Sequence, residues 1–126
     1  MLISLIKRPE KLTYSYGNIP DIPNEPEDIA QTVVFDFSFF AEATDSEIDE
    51  FELRFLGPMN RICSTLLDYG DVDYVDFSCC TELAAWLDTE LDRGNMAENE
   101  RIFFDVLRQL ALEASQLKTG LVIELT

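Results

Sequence analysis

Chemistry in this chain would have to come from carboxylates and thiols, because its 126 residues include no histidine and 25 Asp or Glu. The missing imidazole excludes Ser-His-Asp and Cys-His catalysis, most zinc sites and the usual proton shuttle at neutral pH. No P-loop or G-x-G-x-x-G occurs, and five glycines are few for phosphate-cradling loops. Ser115 to Lys118 spells S-x-x-K, but it falls late in a helical pattern without the companion motifs of acyl transfer and reads as a chance match. Paired carboxylates can do acid–base work, yet nothing singles out one pair. Asp68, Asp71, Asp73 and Asp76 do not match a calcium loop, which needs alternate ligands, a central Gly and a distal Glu. Cys63, Cys79 and Cys80 lack a fourth ligand and C-x-x-C spacing, so they read as reduced core residues or residues at a helix start. The expectation is a protein with no enzymatic activity, no metal and no cofactor.

What remains is binding. Against 25 acids stand 9 bases, giving a net charge of −16. Between Lys11 and Arg54 there are eleven acids and no base, and between Arg61 and Arg93 eight more. An ordinary surface mixes the signs, because opposite neighbours stabilise helices and strands. Single-sign stretches forgo that support and build a field that steers basic partners. Nucleic acid, a polyanion, is not expected to bind directly.

Two segments carry the binding expectation. In LDYGDVDYVDF, residues 67–77, the aspartates Asp68, Asp71, Asp73 and Asp76 interleave with Tyr69 and Tyr74. Tyrosine offers a stiff, amphipathic contact, and neighbouring carboxylates can take Arg or Lys in charge-assisted hydrogen bonds. The plain alternative is a half-buried strand with its acids in water. The second segment, Glu42 to Glu52, has six acids in eleven residues, among them Asp45, Glu47, Asp49 and Glu50. It reads as a wet acidic turn at the rim.

The elements that would position these residues follow from periodicity. Leu2 to Ile6 reads as a strand. Residues 9–31 hold four of the five prolines and read as an irregular arm, with Tyr14 and Tyr16 as anchors. Thr32 to Ala41, with Phe35, Phe37 and Phe39 alternating against Asp36 and Ser38, reads as a strand. Residues 42–56 fit two patterns. Phe51, Leu53 and Phe55 alternate as in a strand, whereas Ile48, Phe51, Phe55 and Met59 share a helical face behind a Ser46–Asp49 capping pair. The preferred reading is a turn and then a strand over 50–56, antiparallel to the previous one and stopped by Gly57-Pro58. A helix over 58–68 follows, burying Ile62, Cys63, Leu66 and Leu67, then an extended segment over 71–77. Thr81 would cap a helix over 82–92, aligning Leu83, Leu87 and Leu91 and ended by Gly94. Asn95 and Glu98 would cap the longest helix, about 96–118, with Phe103, Val106, Leu107, Leu110, Ala114 and Leu117 on one face and Gly120 as its stop. Leu121 to Leu125 reads as the closing strand.

This order predicts a single α+β domain, a mostly antiparallel sheet with helices on one face and roughly equal amounts of helix and sheet. The N-terminus lacks the pattern of a signal peptide and no apolar run is long enough to span a bilayer, so a cytoplasmic protein without membrane contact is expected. The chain has the look of bacterial inhibitors that neutralise basic enzymes. The first functional expectation is an acidic, non-catalytic inhibitor that occludes a basic protein, as an immunity protein neutralises a nuclease-type toxin. The alternatives are a nucleic-acid mimic of the anti-restriction or anti-CRISPR type, and an adaptor subunit with an incidental acidic surface. The oligomeric state is left open.

Overall fold

The apolar runs at the two ends of the chain, LISLI and LVIEL, pair with each other. In the computed structural model, which describes residues 1–15, 17, 19–22, 25, 27–34, 50–68 and 70–125, β1 (Leu2–Ile6) lies antiparallel to β4 (Leu121–Glu124), with Leu5 opposite Leu121. On the far side of β1 runs β2 (Ile29–Val34), and on the far side of β4 runs β3 (Val72–Val75). The sheet order is therefore β2-β1-β4-β3, antiparallel throughout. With three α-helices on one face, this is an α+β fold. Helix outweighs sheet, at 51% against 19% of the described residues, in contrast to the equal shares expected.

Strand alternation sorts the side chains. Ile3, Leu5, Val75, Leu121 and Ile123 point to one face and are all buried in the common core. The longest helix, α3 (Glu98–Leu117), packs on that face against β1 and β4. Beside α3 runs α2 (Phe77–Asp92), and against α2 lies α1 (Gly57–Cys63). The centre of the helical layer is aromatic. Phe55 meets Phe103 edge-on at 4.8 Å and lies 5.3 Å from Phe51 and 5.9 Å from Phe104.

That cluster decides the ambiguous stretch before α1. Residues 50–56 are helical, not a strand, and continue into α1 through a π-helical turn at Glu52–Leu56. The two patterns disagreed about Leu53, and Leu53 is 76% exposed while Phe51, Phe55 and Met59 are buried. Gly57-Pro58 does not stop this element. Proline has no N–H and its ring crowds the carbonyl four residues back, so the helix widens by one residue just ahead of Pro58 and carries on. The amide of Gly57 accordingly reaches Glu52, five residues back.

Other boundaries move for local reasons. The helix expected over 58–68 ends at Cys63, where Ser64 turns left-handed, and Leu66 is 90% exposed, not buried. Asp76, not Thr81, caps α2 by accepting from the Cys79 amide at 2.9 Å. Thr81 lies inside that helix, its hydroxyl donating to the Phe77 carbonyl. Gly94, at φ +69°, follows α2 as expected. No side chain caps α3, because the N-cap position falls on Ala97, which carries no acceptor, and not on Asn95. Its end is made by Lys118 in a left-handed conformation, and Leu117 is 61% exposed.

The arm over 9–31 opens with a 3-10 turn, Pro9–Lys11, and its last residues belong to β2. Polar contacts tie it down: Asp21 accepts from the Thr13 and Ser15 hydroxyls at 2.6 and 2.8 Å, and Arg8 pairs with Asp28 at 2.6 Å. Those hydroxyls hold the Asp21 carboxyl below its usual range. Tyr14 is 48% exposed. Tyr16 and residues 35–49, including the Phe35, Phe37 and Phe39 alternation, lie outside the described residues.

The helical assignment of 50–56 has a measurable consequence. Phe55→Ala is expected to lower the unfolding free energy by about 3–5 kcal/mol, as for buried Phe truncations generally. Leu53→Ala should change it by less than about 0.5 kcal/mol, as exposed positions do. Urea unfolding of the two variants measures both, and a comparable loss at Leu53 would contradict the assignment.

Candidate functional site

The acidic segment after α1 is held in place by one amide side chain. Asn60 of α1 donates to the Leu67 carbonyl at 3.0 Å and accepts from the Leu67 amide and the Thr65 hydroxyl at 3.0 and 2.7 Å. This fastens the strap over 64–67, leaving Leu66 outside and Leu67 inside. A turn over 68–71 follows. The Asp71 carboxylate accepts from the Asp68 amide at 2.9 Å, and the Asp71 carbonyl accepts from Leu125 at the end of β4 at 2.9 Å. Asp71 is thus a turn-building residue as well as an exposed charge.

β3 then runs along the sheet edge formed by the described residues, and its side chains divide. Asp73 shares the helix-facing side with Val75, opposite Ile123, whereas Tyr74 lies on the other side, opposite Val122. The structure therefore separates two residues that the sequence placed in one patch. Tyr74 is half-buried. Its ring covers Gly120 so closely that a Cβ there would lie 2.7 Å from the ring and would also clash with the Val75 carbonyl oxygen. Close approach, not helix termination, is what this glycine serves. Burial, reinforced by the nearby Cys80 and Asp76, pushes the Tyr74 hydroxyl up to about 12, against a weaker pull from Thr119.

Asp73 is the carboxylate that fits the ordinary rules least. It is partly buried, and desolvation raises its pKa above the usual 3.8, with Asp71 adding repulsion. Its one hydrogen bond among the described residues comes from the Tyr74 amide at 2.8 Å, and no Lys or Arg among them pairs with it. A half-dry carboxylate without a cation is unfavourable for the isolated fold and favourable for one that receives a cation from outside.

Of the remaining sequence candidates, Asp76 is exposed and committed to capping α2. Glu50 lies in a helix, not in a turn, and pairs with Arg54 at 3.4 Å one helical turn on. Tyr69, Asp45, Glu47 and Asp49 lie outside the described residues. The strand-like sequence reading overlooked a neighbouring feature. Leu53 and Leu66, both largely exposed, line a groove of about 630 Å³ that also includes Asp68, between the helix over 50–63 and the strap. Exposed leucines rimmed by charge are typical of contact surfaces. The signal was available: Leu53 is apolar yet off the face shared by Phe51, Phe55 and Met59.

Cys63, Cys79 and Cys80 cluster where α1 meets the start of α2, with the Cys79 thiol 3.7 Å from the Cys63 carbonyl. Burial raises all three thiols, Cys80 to about 12, which suppresses thiolate chemistry. The Ser115 hydroxyl shares a hydrogen bond with Thr81 and so links α3 to α2. Among the described residues no three His, Cys, Asp or Glu side chains converge as metal ligands, and no helix is long and apolar enough to cross a membrane. No protein-family model, curated protein or solved structure matches this chain.

Two outcomes test this geometry. Because Asp73 holds its proton more tightly folded than unfolded, its contribution to stability is complete below 3.8 and is lost as pH rises through the raised folded value. Asp73→Asn should therefore gain stability over the parent as pH is raised across the carboxylate range, read from urea midpoints at pH 3 to 7. An unchanged difference across that range would show a fully solvated carboxylate. Gly120→Ala should destabilise by at least about 1–3 kcal/mol through overpacking, with a changed tyrosine near-UV signal.

Proposed function

We propose that this protein is a non-catalytic inhibitor that binds a basic protein through the acidic edge around β3 and occludes its cationic cleft, acting as an immunity protein acts on a nuclease-type toxin. The observation that carries this reading is Asp73: a carboxylate kept partly desolvated with no cation among the described residues. An incoming Arg or Lys would remove that penalty and form a charge-assisted hydrogen bond in a partly dry setting. Asp68 and Asp71 stand beside it at the turn, and exposed Leu53 and Leu66 offer apolar contact at the adjoining groove. The wider charge supplies steering. Four of the nine bases (Arg8, Arg54, Arg93 and Arg108) are already engaged by acids of this chain, which leaves the negative field largely uncompensated. No chemistry is required of any residue; the mechanism is steric and electrostatic.

The experiment is capture of the bound partner from the native cells, then kinetics with the purified pair. The partner is expected to be basic and to lose its own activity at one equivalent. Association should slow steeply with added salt, because attraction between exposed charges is screened beyond ~8 Å at physiological ionic strength. Asp73→Asn should raise the dissociation rate at least about tenfold, as for one partner of a buried charge pair, while the free variant is more stable than the parent. A neutral or acidic partner, a salt-independent association rate, or unaltered dissociation of Asp73→Asn would each refute the reading. A partner that exchanges competitively with duplex DNA along its whole binding track would instead identify a nucleic-acid mimic.

A further inference from the structure

We infer that the cleft between the helix over 50–63 and the C-terminal end of α2 binds a small organic anion, a carboxylate carried on a flat apolar body. The cleft encloses about 430 Å³, within the ~300–1,000 Å³ typical of small-molecule sites. Arg54, Arg61 and Arg93 line it, three of only nine basic residues in a chain of net charge −16. Half-buried Trp86 supplies an aromatic wall, backed by the buried Phe104 ring at 5.7 Å between centroids. Arginines and an indole lining one cleft suit a planar carboxylate, because the guanidinium fork matches two oxygens and the indole matches the body.

The state of each arginine supports this assignment. Arg54 gives one nitrogen to Glu100 at 3.1 Å and another to Glu50 at 3.4 Å. Arg93 gives one to Glu90 at 3.3 Å. Arg61 is exposed and makes no ion pair among the described residues. A guanidinium carries five N–H donors, so capacity remains at all three. Glu90 also lines the cleft. With Glu90 on Arg93 and Glu50 and Glu100 on Arg54, Arg61 is the one arginine of the cleft with no ion pair among the described residues, and one such cation matches a single carboxylate better than a doubly charged phosphate. The site shares Leu53 and Arg61 with the groove beside Asp68 but uses no residue of β3, and its ligand has the opposite charge, so binding of the anion is tested without the proposed basic partner.

The chain has a single tryptophan, so the Trp86 indole N–H gives one NMR signal that reports on the cleft. The intact protein is titrated with phenylacetate, with its neutral isostere phenylacetamide and with inorganic phosphate. Phenylacetate is expected to shift the indole signal saturably at millimolar concentration, while phenylacetamide and phosphate do not. Arg61→Gln, at an exposed position, should keep the parent's amide spectrum and weaken phenylacetate binding about tenfold, the loss of one charge-assisted hydrogen bond. Arg93→Gln should weaken it in the same direction. No saturable shift with phenylacetate, an equal shift with phenylacetamide or phosphate, or parental affinity in both folded arginine variants would overturn the assignment.

Discussion

The pairing of the first strand with the last is the interaction on which the rest of this structure depends. β1 and β4 sit side by side in the middle of the sheet, so residues 2–5 must find residues 121–124 before any sheet core exists. Closing so long a loop is entropically unfavourable, and only burial on both strands repays it. Ile3, Leu5, Leu121 and Ile123 supply that burial on the helix-facing side, and Ser4, Ile6 and Val122 are buried on the other. Each remaining strand needs this pair as its template: β2 pairs only with β1, and β3 only with β4, among the described residues. The position of the acidic edge is thus inherited from the chain ends.

The helical layer answers a different demand, that of packing large rings. Phe55 touches Phe51, Phe103, Phe104 and Trp86, and this cluster fixes the helix over 50–63 to α2 and α3. One outcome is the π-helical turn. The ring positions require Phe51, Phe55 and Met59 on one face, Pro58 forbids a regular α-helical bond, and the turn meets both conditions by taking in one more residue. A second outcome is that Arg54, Leu53 and Arg61 are turned outward, which creates the groove beside Asp68 and the arginine-lined cleft.

Charge in this protein is distributed against stability. An acidic chain could keep every carboxylate in water, yet Asp73 and Glu100 are partly desolvated, and Glu100 alone has an arginine to offset it. At the sheet edge the fold therefore carries one unfavourable group, the Asp73 carboxylate. Nearby acids have internal work: Asp76 caps α2, and Asp71 builds the turn.

What the amino-acid sequence determined by itself is what local periodicity and composition carry. The strands at 2–6 and 121–124, the amphipathic α3, the stop at Gly94, the α+β class and the run of acids at 68–76 were legible because each rests on neighbours within a few residues. Tertiary structure decided the rest. Residues 50–56 satisfied two periods at once, and only the ring cluster showed that Leu53 points outward. Gly120 resembled a helix stop until Tyr74 was seen to lie across it. Within the acidic run, sequence could not rank Asp71, Asp73 and Asp76, since all three are aspartates two or three residues apart. Their differences arise from a distant amide, a sheet face and a helix start. Desolvation and counter-charge depend on what the fold brings near from far along the chain, and no short window of sequence contains that information.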